Sequence, residues 1–326
     1  MIVITGGAGM IGSMIAWHLN QVSGRDDIVI VDCFHHQEQW QNLVHRRYAH
    51  YLDKDQLLDW LKDAKGIDAV IHMGAISATT ERDFSKLVQD NIQYSQALWA
   101  WCAERDVPFL YASSAATYGG GEYGYEDDES QTDQFRPLNG YGYSKQFFDQ
   151  WALRQVKEGN PAPPQWCGFK FFNVYGPNEY HKERMASVAF HSFNQFTELG
   201  TVKLFKSHLP DYEDGMQLRD FVYVKDAAAV VAHFLANQQH SGLYNIGTGQ
   251  ARAFKDLATA VMTSMGKTPS ITYVDMPQDL HGKYQYFTQA SMDKVRAAGY
   301  SQPFHSLEDG VRDYVQNYLM QADPYA

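Results

Sequence analysis

Cysteine is scarce in this chain, which has three cysteines in 326 residues. Cys33, Cys102 and Cys167 are widely spaced and odd in number, and each lies in or beside an apolar run. A disulfide framework or a zinc centre needs paired or closely spaced cysteines, so the sequence predicts neither, and it predicts no other metal site. The pattern is typical of buried thiols in a reducing compartment.

Long apolar runs and excess positive charge are also absent. No run approaches the roughly 20 residues that span a bilayer, and the chain opens on a predicted strand, so we expect a cytoplasmic protein without a signal peptide or membrane partner. Lys and Arg number 27 against 38 Asp and Glu, a formal net charge of -11 at pH 7. Because this charge repels a phosphate backbone and no basic stripe extends beyond Arg46-Arg47, we expect no nucleic-acid partner.

Short apolar runs recur through the first half of the chain, separated by segments long enough to hold helices. Between the first two runs, Ile11, Ile15 and Leu19 repeat every four residues, which gives a helix one apolar face. Strands alternating with such helices predict an α/β fold built on a doubly wound parallel Rossmann sheet. The predicted strands are Ile2–Thr5, Ile28–Val31, Ala69–His72, Phe109–Ala112 and Cys167–Phe172.

The alternation changes after residue 172, where loops interrupt the pattern. Phe221–Val224 and Leu243–Ile246 are again predicted as buried strands that return to the Rossmann domain. We therefore expect a smaller α/β substrate-binding domain that is interleaved with it. The predicted limits are residues 1–172 plus about 219–250 for the dinucleotide-binding domain, and 173–218 plus about 251–326 for the substrate-binding domain.

A glycine-rich segment lies between the first predicted strand and the first predicted helix. Gly6, Gly9 and Gly12 let the backbone approach a pyrophosphate at the helix N-terminus, so we predict a dinucleotide site. Asp32 ends the second strand, where a carboxylate accepts hydrogen bonds from the adenosine ribose, which favours NAD. Positive charge nearby, such as Lys54, could instead accommodate the 2′-phosphate of NADP, so these residues leave both cofactors open.

Tyr141 and Lys145 stand four residues apart at the start of a predicted helix and therefore share one face. A nearby ammonium and a cationic nicotinamide ring both favour the phenolate, so Tyr141 is predicted to accept a proton from a substrate hydroxyl. Tyr143 would face another side of the helix and is interpreted as a packing residue. Ser114 follows the strand Phe109–Ala112 and either orients the reacting hydroxyl or caps a turn.

Four segments together resemble the extended short-chain dehydrogenase/reductases that act on nucleotide sugars. They are Thr5–Gly12, Ser113–Gly119, Tyr141–Lys145 and Arg219–Val224. Further segments resemble the ADP-L-glycero-D-manno-heptose 6-epimerase family within that group. These are Phe172–Pro177, His181-Lys182, Met185–His191, Tyr284-Gln285 and Phe287–Ala290.

The resemblance implies an isomerase that makes ADP-L-glycero-D-manno-heptose for the lipopolysaccharide core. It oxidises C6 of ADP-D-glycero-D-manno-heptose to a ketone and then returns the hydride to the opposite face. Proton transfer is needed on both faces, and the resemblance assigns it to Tyr141, supported by Ser114 and Lys145, and to Lys182. From the residues alone, Lys182 would be interpreted as an exposed surface lysine, although a desolvated amine can act as a base.

The resemblance also implies one tightly bound NADP per subunit, with NAD as the alternative, and a homo-oligomer, specifically a pentamer. Its cofactor contacts fall on Gly6, Gly9, Met10, Ile11, Gly12, Asp32, Cys33, Lys54, Met73, Gly74, Ala75, Ile76, Ser77, Asn91, Lys145, Val174 and Lys182. Its sugar-nucleotide contacts fall on Ser114, Asn173, Arg184, His191, Phe205, Arg219 and Tyr284. Arg219 is expected to clamp the diphosphate or to pair with a neighbouring Asp, because its fork suits both anions.

Three features depart from the family pattern. Asp32-Cys33 and Gln39 stand where an Asp-Asn pair and a nearby lysine often surround the 2′-phosphate. Arg184 stands where a small polar contact is expected, and the loop His208–Leu218 is longer than expected. The first departure bears on cofactor preference, and the other two bear on sugar or nucleotide preference.

Two alternative functions fit part of the pattern. Another nucleotide-sugar epimerase, such as a UDP-hexose 4-epimerase, would keep the glycine loop, Ser114, Tyr141 and Lys145, but it could reuse one base and would not need Lys182. A dinucleotide-sensing regulator would keep the loop and lose the chemistry, and the intact Tyr141–Lys145 pair argues against it. A 4,6-dehydratase is disfavoured because Ala115–Thr117 offers no carboxylate after the serine.

Overall fold

A computed structural model of the chain describes residues 1–34, 38–277 and 285–326. In chain order its strands are β1 (Ile2–Thr5), β2 (Ile28–Asp32), β3 (His50–Asp53), β4 (Ala69–His72), β5 (Phe109–Ser114), β6 (Trp166–Phe171), β7 (Asn173–Tyr175), β8 (Val202–Phe205), β9 (Leu218–Tyr223), β10 (Gly242–Ile246), β11 (Ala251–Ala253) and β12 (Ile271–Val274).

The helices alternate with the strands as the sequence pattern predicts. They are α1 (Met10–Gln21), α2 (Lys54–Asp63), α3 (Phe84–Leu87), α4 (Tyr94–Arg105), α5 (Gly140–Lys157), α6 (Val188–Leu199), α7 (Val224–Ala236), α8 (Phe254–Ser264), α9 (Asp293–Ala297) and α10 (Leu307–Tyr314). A π-helical segment, Val88–Gln93, joins α3 to α4, and 3₁₀ turns include Gln39–Leu43, Ala115–Tyr118 and Tyr180–Met185.

In the described part of the chain, seven parallel strands form the central sheet in the order β3-β2-β1-β4-β5-β6-β10. This is the doubly wound Rossmann order, and it confirms the predicted fold class. The five strands predicted up to residue 172 lie in this sheet, and so does the predicted strand Leu243–Ile246. The additional strand β3 escaped prediction because its exposed or half-buried residues, His50–Asp53, carry no apolar run at this outer edge.

Successive residues of the central strands point into two different apolar layers. Ile2 and Ile4 pack with Met14 of α1 and Val230 of α7 on one face. Val3, between them, packs on the other face with residues of α2, α4 and α5, including Leu57, Leu98 and Phe148. Burial on both faces is typical of a parallel sheet, and it explains why its strands are apolar throughout.

Two smaller sheets follow the sixth strand of the chain. Strand β9 pairs parallel with β7 and antiparallel with β11, and β8 pairs with β12. Leu243–Ile246 lies in the central sheet as expected, whereas Phe221–Tyr223 lies in the three-stranded sheet, and Val224 already begins α7. Both segments are buried, and burial alone could not tell which sheet each would join. The proposed domain limits stay a prediction.

Two of the three cysteines are buried, as the apolar runs around them predict. Cys102 and Cys167 are buried thiols, but Cys33 is partly exposed because it follows the last residue of β2 at the sheet edge. Burial raises the pKa of the Cys33 thiol to about 11. Over the ranges that the structure describes, no helix is long and apolar enough to cross a bilayer.

Candidate active site

The carboxyl ends of the central strands bring the predicted site segments to one edge of the sheet. The glycine loop follows β1, the Met73–Ser77 loop follows β4, Ser114 ends β5, and Asn173 lies just beyond β6. Segments far apart in the sequence thus line one cleft. The residues within this cleft fall into three groups, built around the dinucleotide loop, Tyr141 and Lys182.

The glycine loop is shaped by close backbone contacts that exclude side chains. Gly6 has φ +62°, and a Cβ there would lie 2.6 Å from the amide nitrogen of Gly74. A Cβ on Gly12 would lie 2.1 Å from the carbonyl oxygen of Gly6. Gly9 precedes α1 and supplies no side-chain cap, so the first-turn amides of this helix have no intrahelical or capping partner. This cradle fits the pyrophosphate of a dinucleotide.

Asp32 fastens the glycine loop to the end of β2. Its Oδ2 accepts a hydrogen bond from the Ala8 amide at 2.8 Å, and its Oδ1 accepts one from the Cys33 amide at 2.8 Å. Burial raises the pKa of the carboxyl, while these bonds and one from the Gln39 side chain oppose the rise. Gln39 therefore bonds to the carboxylate that the sequence assigned to the ribose.

Lys54 lies beside this group because it follows Asp53, the register partner of Asp32. Its Nζ donates to Asp90 Oδ1 at 2.8 Å. Burial opposes the charged ammonium, but Asp90 and Asp55 outweigh burial and raise its pKa. The cation expected near the adenosine ribose is therefore present and partly neutralised.

Asn91 is buried and shapes the loop after β4. Its Oδ1 accepts from the Ile76 amide at 2.8 Å, and its Nδ2 donates to the Ile76 carbonyl at 3.0 Å and to Ser144 Oγ at 2.9 Å. The side chain thereby links the Met73–Ser77 loop to α5. The predicted contact loop is held by Asn91, whose amide is engaged within the protein.

A buried polar chain under the two loops was not predicted. His72 Nδ1 lies 2.6 Å from Thr5 Oγ1, and His72 Nε2 lies 2.8 Å from Ser95 Oγ. Burial lowers the pKa of His72 to about 3, so the ring is neutral. Strand ends β1 and β4 are neighbours in the sheet, and that pairing, which the sequence does not show, brings these groups together.

The start of α5 approaches the turn after β5 closely enough to join Tyr141 to Ser114. A Cβ on Gly142 would lie 2.8 Å from the Ala116 carbonyl oxygen, so glycine is needed at this contact. Ser114 Oγ accepts from the Ala116 amide at 3.1 Å and also hydrogen-bonds to the Tyr141 phenol. Ser114 therefore caps the turn, which is one of the two roles that the sequence left open, and its part in orienting a substrate hydroxyl stays a prediction.

Lys145 is buried beside this pair, and its Nζ donates to the Ala112 carbonyl at 2.8 Å. Burial lowers its pKa to about 8, against an opposing effect of Asp149. Burial also raises the pKa of Tyr141, and the bond with Ser114 opposes that rise. In the protein alone, loss of water outweighs the contacts that favour the phenolate, so the predicted phenolate depends on the positive charge of the nicotinamide ring.

A buried ion pair lies behind Tyr141 and Lys145. Lys170 Nζ is 2.6 Å from Asp149 Oδ2, which also accepts from Ser113 Oγ at 2.7 Å. Asp149 acts on the pKa of both Tyr141 and Lys145. No motif in the sequence predicted this ion pair, although Asp149 follows Lys145 by four residues and so shares its helix face.

Lys145 gives a pH-dependent expectation. Activity should fall as pH rises through about 8, because Lys145 loses the charge that supports the Tyr141 phenolate. Lys145→Arg keeps a charge at that pH and should remove this limb of the kcat profile, at a lower maximal rate. Lys157→Arg, exposed at the far end of α5, is the control and should keep the profile. An unchanged limb in Lys145→Arg would exclude Lys145 as its origin.

Lys182 lies on a turn that is fastened to the glycine loop. Asn42 Nδ2 donates to the carbonyls of Ala8 at 2.8 Å and Asn178 at 3.0 Å, and lies 3.2 Å from His181 Nδ1. Lys182 Nζ is 3.9 Å from the Met10 sulfur. Lys182 is therefore not the exposed surface lysine that composition alone indicates.

Burial lowers the pKa of Lys182, while the charge of Glu179 opposes that shift. A lysine with a lowered pKa has more of its neutral, basic form near neutral pH. Arg184, on the same turn, is exposed. The structure thus separates these two predicted residues into a partly buried amine beside the glycine loop and an exposed guanidinium.

The remaining predicted substrate contacts lie around the smaller sheets. Asn173 is exposed on β7, and His191 on α6 and Phe205 at the end of β8 are half-buried. Arg219 donates to the carbonyls of Leu218, at 2.9 Å, and Gln285. Tyr284 lies outside the described residues.

The expected Asp partner of Arg219 is occupied by other groups. Asp220 accepts hydrogen bonds from the backbone amides of Thr248 at 2.7 Å, Gly249 at 2.9 Å and Ala290 at 3.0 Å.

In residues 1–34, 38–277 and 285–326 there is no group of three or more His, Cys, Asp or Glu side chains that could hold a metal ion.

Comparison with known proteins agrees with this arrangement. Residues 2–247 match the NAD dependent epimerase/dehydratase family. The chain is 52% identical to an ADP-L-glycero-D-manno-heptose-6-epimerase of Fusobacterium nucleatum and 49% identical to one of Nitratidesulfovibrio vulgaris, and each match covers 100% of both chains.

One solved structure is similar to this chain in both fold and sequence. The ADP-L-glycero-D-manno-heptose-6-epimerase of Helicobacter pylori superposes with a TM-score of 0.80 at 28% identity. The match covers 97% of this chain and 95% of that chain. The likeness therefore includes both the central sheet and the smaller sheets.

Proposed function

The chain belongs to the NAD dependent epimerase/dehydratase family, and from that membership we propose that it inverts C6 of an ADP-heptose. The substrate and product are ADP-D-glycero-D-manno-heptose and ADP-L-glycero-D-manno-heptose, the latter for the lipopolysaccharide core. The full-length relatives at 52% and 49% identity support this substrate class. The observation that supports the proposal is that Tyr141 hydrogen-bonds to Ser114 at the end of β5, while the Lys182 amine lies 3.9 Å from the Met10 sulfur beside the glycine loop. We assign proton transfer to both residues.

Each group has a defined part in the proposed mechanism. Tyr141 takes the proton of the C6 hydroxyl from one epimer and returns it in the reverse direction, while Ser114 orients that hydroxyl. Lys182 does the same for the other epimer, from a segment of the chain unrelated to α5. The bound dinucleotide supplies hydride acceptance and return at C6.

Lys145 and the burial of the site complete the chemistry. Its ammonium favours the phenolate form of Tyr141, and it is oriented by the Ala112 carbonyl. Because burial raises the pKa of Tyr141, the phenolate also needs the positive charge of an oxidised nicotinamide ring. An oxidised ring bound there would increase the fraction of Tyr141 that is phenolate.

We propose NADP as the cofactor, tightly bound and one per subunit, with NAD as the alternative that Asp32 favours. Lys54 supports NADP because it lies beside Asp32 and Cys33. Lys54→Ala should weaken NADP binding about tenfold more than NAD binding, since the 2′-phosphate loses a charge-assisted partner.

Mass spectrometry of the nucleotide released on denaturation identifies the bound cofactor. Titration of the cofactor-free protein with NADP and with NAD measures the two affinities. Lys62→Ala, exposed on the same helix, is the matched control and should change neither affinity. NAD in the released fraction, or equal weakening of both cofactors by Lys54→Ala, would contradict the NADP assignment.

The substrate proposal is tested by incubating the protein separately with each ADP-heptose epimer and with UDP-glucose. Both ADP-heptoses should reach the same mixture of epimers, and UDP-glucose should remain unchanged. Formation of UDP-galactose without heptose epimerisation would favour the C4 alternative. A protein that binds cofactor and alters none of the three would favour a sensing role.

We also propose that the protein is a homo-oligomer, with the pentamer implied by the family resemblance. Sedimentation velocity over a range of concentrations tests this assembly. A single species of one chain at all concentrations would contradict it.

A further inference from the structure

Glu179 is a fully buried carboxylate that directly precedes the turn Tyr180–Met185. Its Oε1 accepts from Ser187 Oγ at 2.7 Å and from the Gly176 amide at 3.4 Å. Its Oε2 accepts from the Ser187 amide at 2.5 Å. One side chain therefore joins the residues on both sides of the turn that carries Lys182.

The hydrogen-bond partners of the Glu179 side chain are neutral groups, the Gly176 and Ser187 amides and the Ser187 hydroxyl. Burying a charge is costly unless hydrogen bonds or an opposite charge compensate for it. A neutral side chain could join the ends of the turn without that cost. A charge at Glu179 acts on Lys182, Tyr180 and Tyr314, and Lys182 is the basic group among them.

We propose that Glu179 is the positioning residue for Lys182, holding the turn beside the glycine loop and supplying the negative charge that acts on the amine. This inference rests on the proposed role of Lys182 as the second proton-transfer group. The geometry is that of a short loop closed by a carboxylate at its base, with the amine directed to Met10 at the cofactor loop. Glu179 has no contact with the reacting atoms in this account.

The other titratable groups around the turn are exposed, partly buried or neutral, unlike the fully buried Glu179. Glu183 and Arg184 are exposed, and His181 lies against Asn42. Burial raises the pKa of Tyr180 and of Tyr314, so both phenols are neutral. Glu179 is thus the buried charge next to the turn, and α1 presents the positive end of its dipole at Met10.

The sign of the electrostatic effect follows from these charges. Glu179 raises the pKa of Lys182 against burial. Without that charge the pKa falls further, and the neutral amine is populated at lower pH. We call the oxidation of the epimer that Lys182 deprotonates the Lys182-dependent direction. Glu179→Gln should slow this direction. It should also move the acidic limb of its pH–rate profile, where the rate rises as Lys182 loses its proton, to lower pH.

The experiment compares the single-turnover rate of the oxidation step, followed as formation of reduced cofactor, from each ADP-heptose epimer and across pH in the cofactor-loaded protein. Glu179→Gln should slow the Lys182-dependent direction about tenfold by misplacing the amine, leave the opposite direction within about twofold, and shift the limb. Glu179→Asp, which keeps the charge, should restore the limb position. Glu183→Gln removes an exposed carboxylate from the same turn and should behave as the wild type.

Lys182→Ala, measured in parallel, separates the two proposals. The Glu179 inference is wrong if Lys182→Ala slows one direction while Glu179→Gln keeps the wild-type rates and the wild-type position of the acidic limb. If Lys182→Ala changes neither direction, the second-base proposal is wrong and the role of Glu179 toward it falls as well. Equal slowing of both directions by Glu179→Gln, without a shifted limb, would identify a structural role only.

A second variant covers the case in which Glu179→Gln does not fold. Ser187→Ala removes the hydroxyl donor of Glu179 while keeping the charge. It should slow the Lys182-dependent direction without moving the limb. Wild-type rates in both directions would overturn the inference.

Discussion

Tyr141→Phe is expected to lower turnover of either ADP-heptose epimer by roughly 10²–10⁴-fold while leaving the dinucleotide bound. The phenol is the proton-transfer group next to Ser114, and phenylalanine keeps the ring in place without the oxygen. The cofactor cradle is formed by Gly6, Gly9 and Gly12 on a different segment and should be unaffected. Steady-state rates and the amount of co-purified nucleotide measure the two effects.

Tyr143→Phe is the matched control for this variant. Tyr143 lies two residues further along α5, is 48% exposed, and packs its ring 5.7 Å from that of Phe84. Removing its hydroxyl should leave turnover unchanged. If Tyr141→Phe retained the wild-type rate, or if Tyr143→Phe caused the same loss, Tyr141 would have no place in the mechanism.

Lys182→Ala should impair the two oxidation steps unequally, with a loss of about a hundredfold in the rate at which one epimer is oxidised. The oxidation of the other epimer depends on Tyr141 and should proceed to a ketone that is then slow to return. Pre-steady-state absorbance of the reduced cofactor follows each half of the reaction separately. Lys203→Ala, on an exposed position of β8, should retain wild-type behaviour.

The unequal defect is the result that distinguishes a two-base site from a site that reuses one base. Equal rates from both epimers in Lys182→Ala would support reuse of Tyr141 on both faces of the sugar. A complete loss of bound cofactor would instead assign Lys182 to dinucleotide binding through its contact with Met10.

The sequence predicts the parts of the site whose chemistry depends on local spacing. The order of strand, loop and helix was enough to predict the glycine loop with Gly6, Gly9 and Gly12. The helical repeat was enough to predict that Tyr141 and Lys145 share one helix face. The family resemblance was needed for Lys182. Its turn is irregular, and its burial depends on Asn42, which comes from a distant segment.

Other features of the site depend on contacts that no local pattern encodes. Thr5 and His72 meet because β1 and β4 are neighbours in the sheet. Lys170 reaches Asp149 from a strand 21 residues further along the chain. The raised pKa of Tyr141 likewise reflects burial by the completed fold, which the spacing of Tyr141 and Lys145 could not reveal.

The most direct test of the central claim uses ADP-D-glycero-D-manno-heptose that carries deuterium at C6, incubated with purified protein and no added cofactor. Removal and return of the same hydride at C6 predicts a mixture of both epimers, each retaining its deuterium. Mass and NMR spectra of the recovered sugars give this result. Epimerisation with loss of deuterium to the solvent, or an unchanged sugar in the presence of bound dinucleotide, would contradict it.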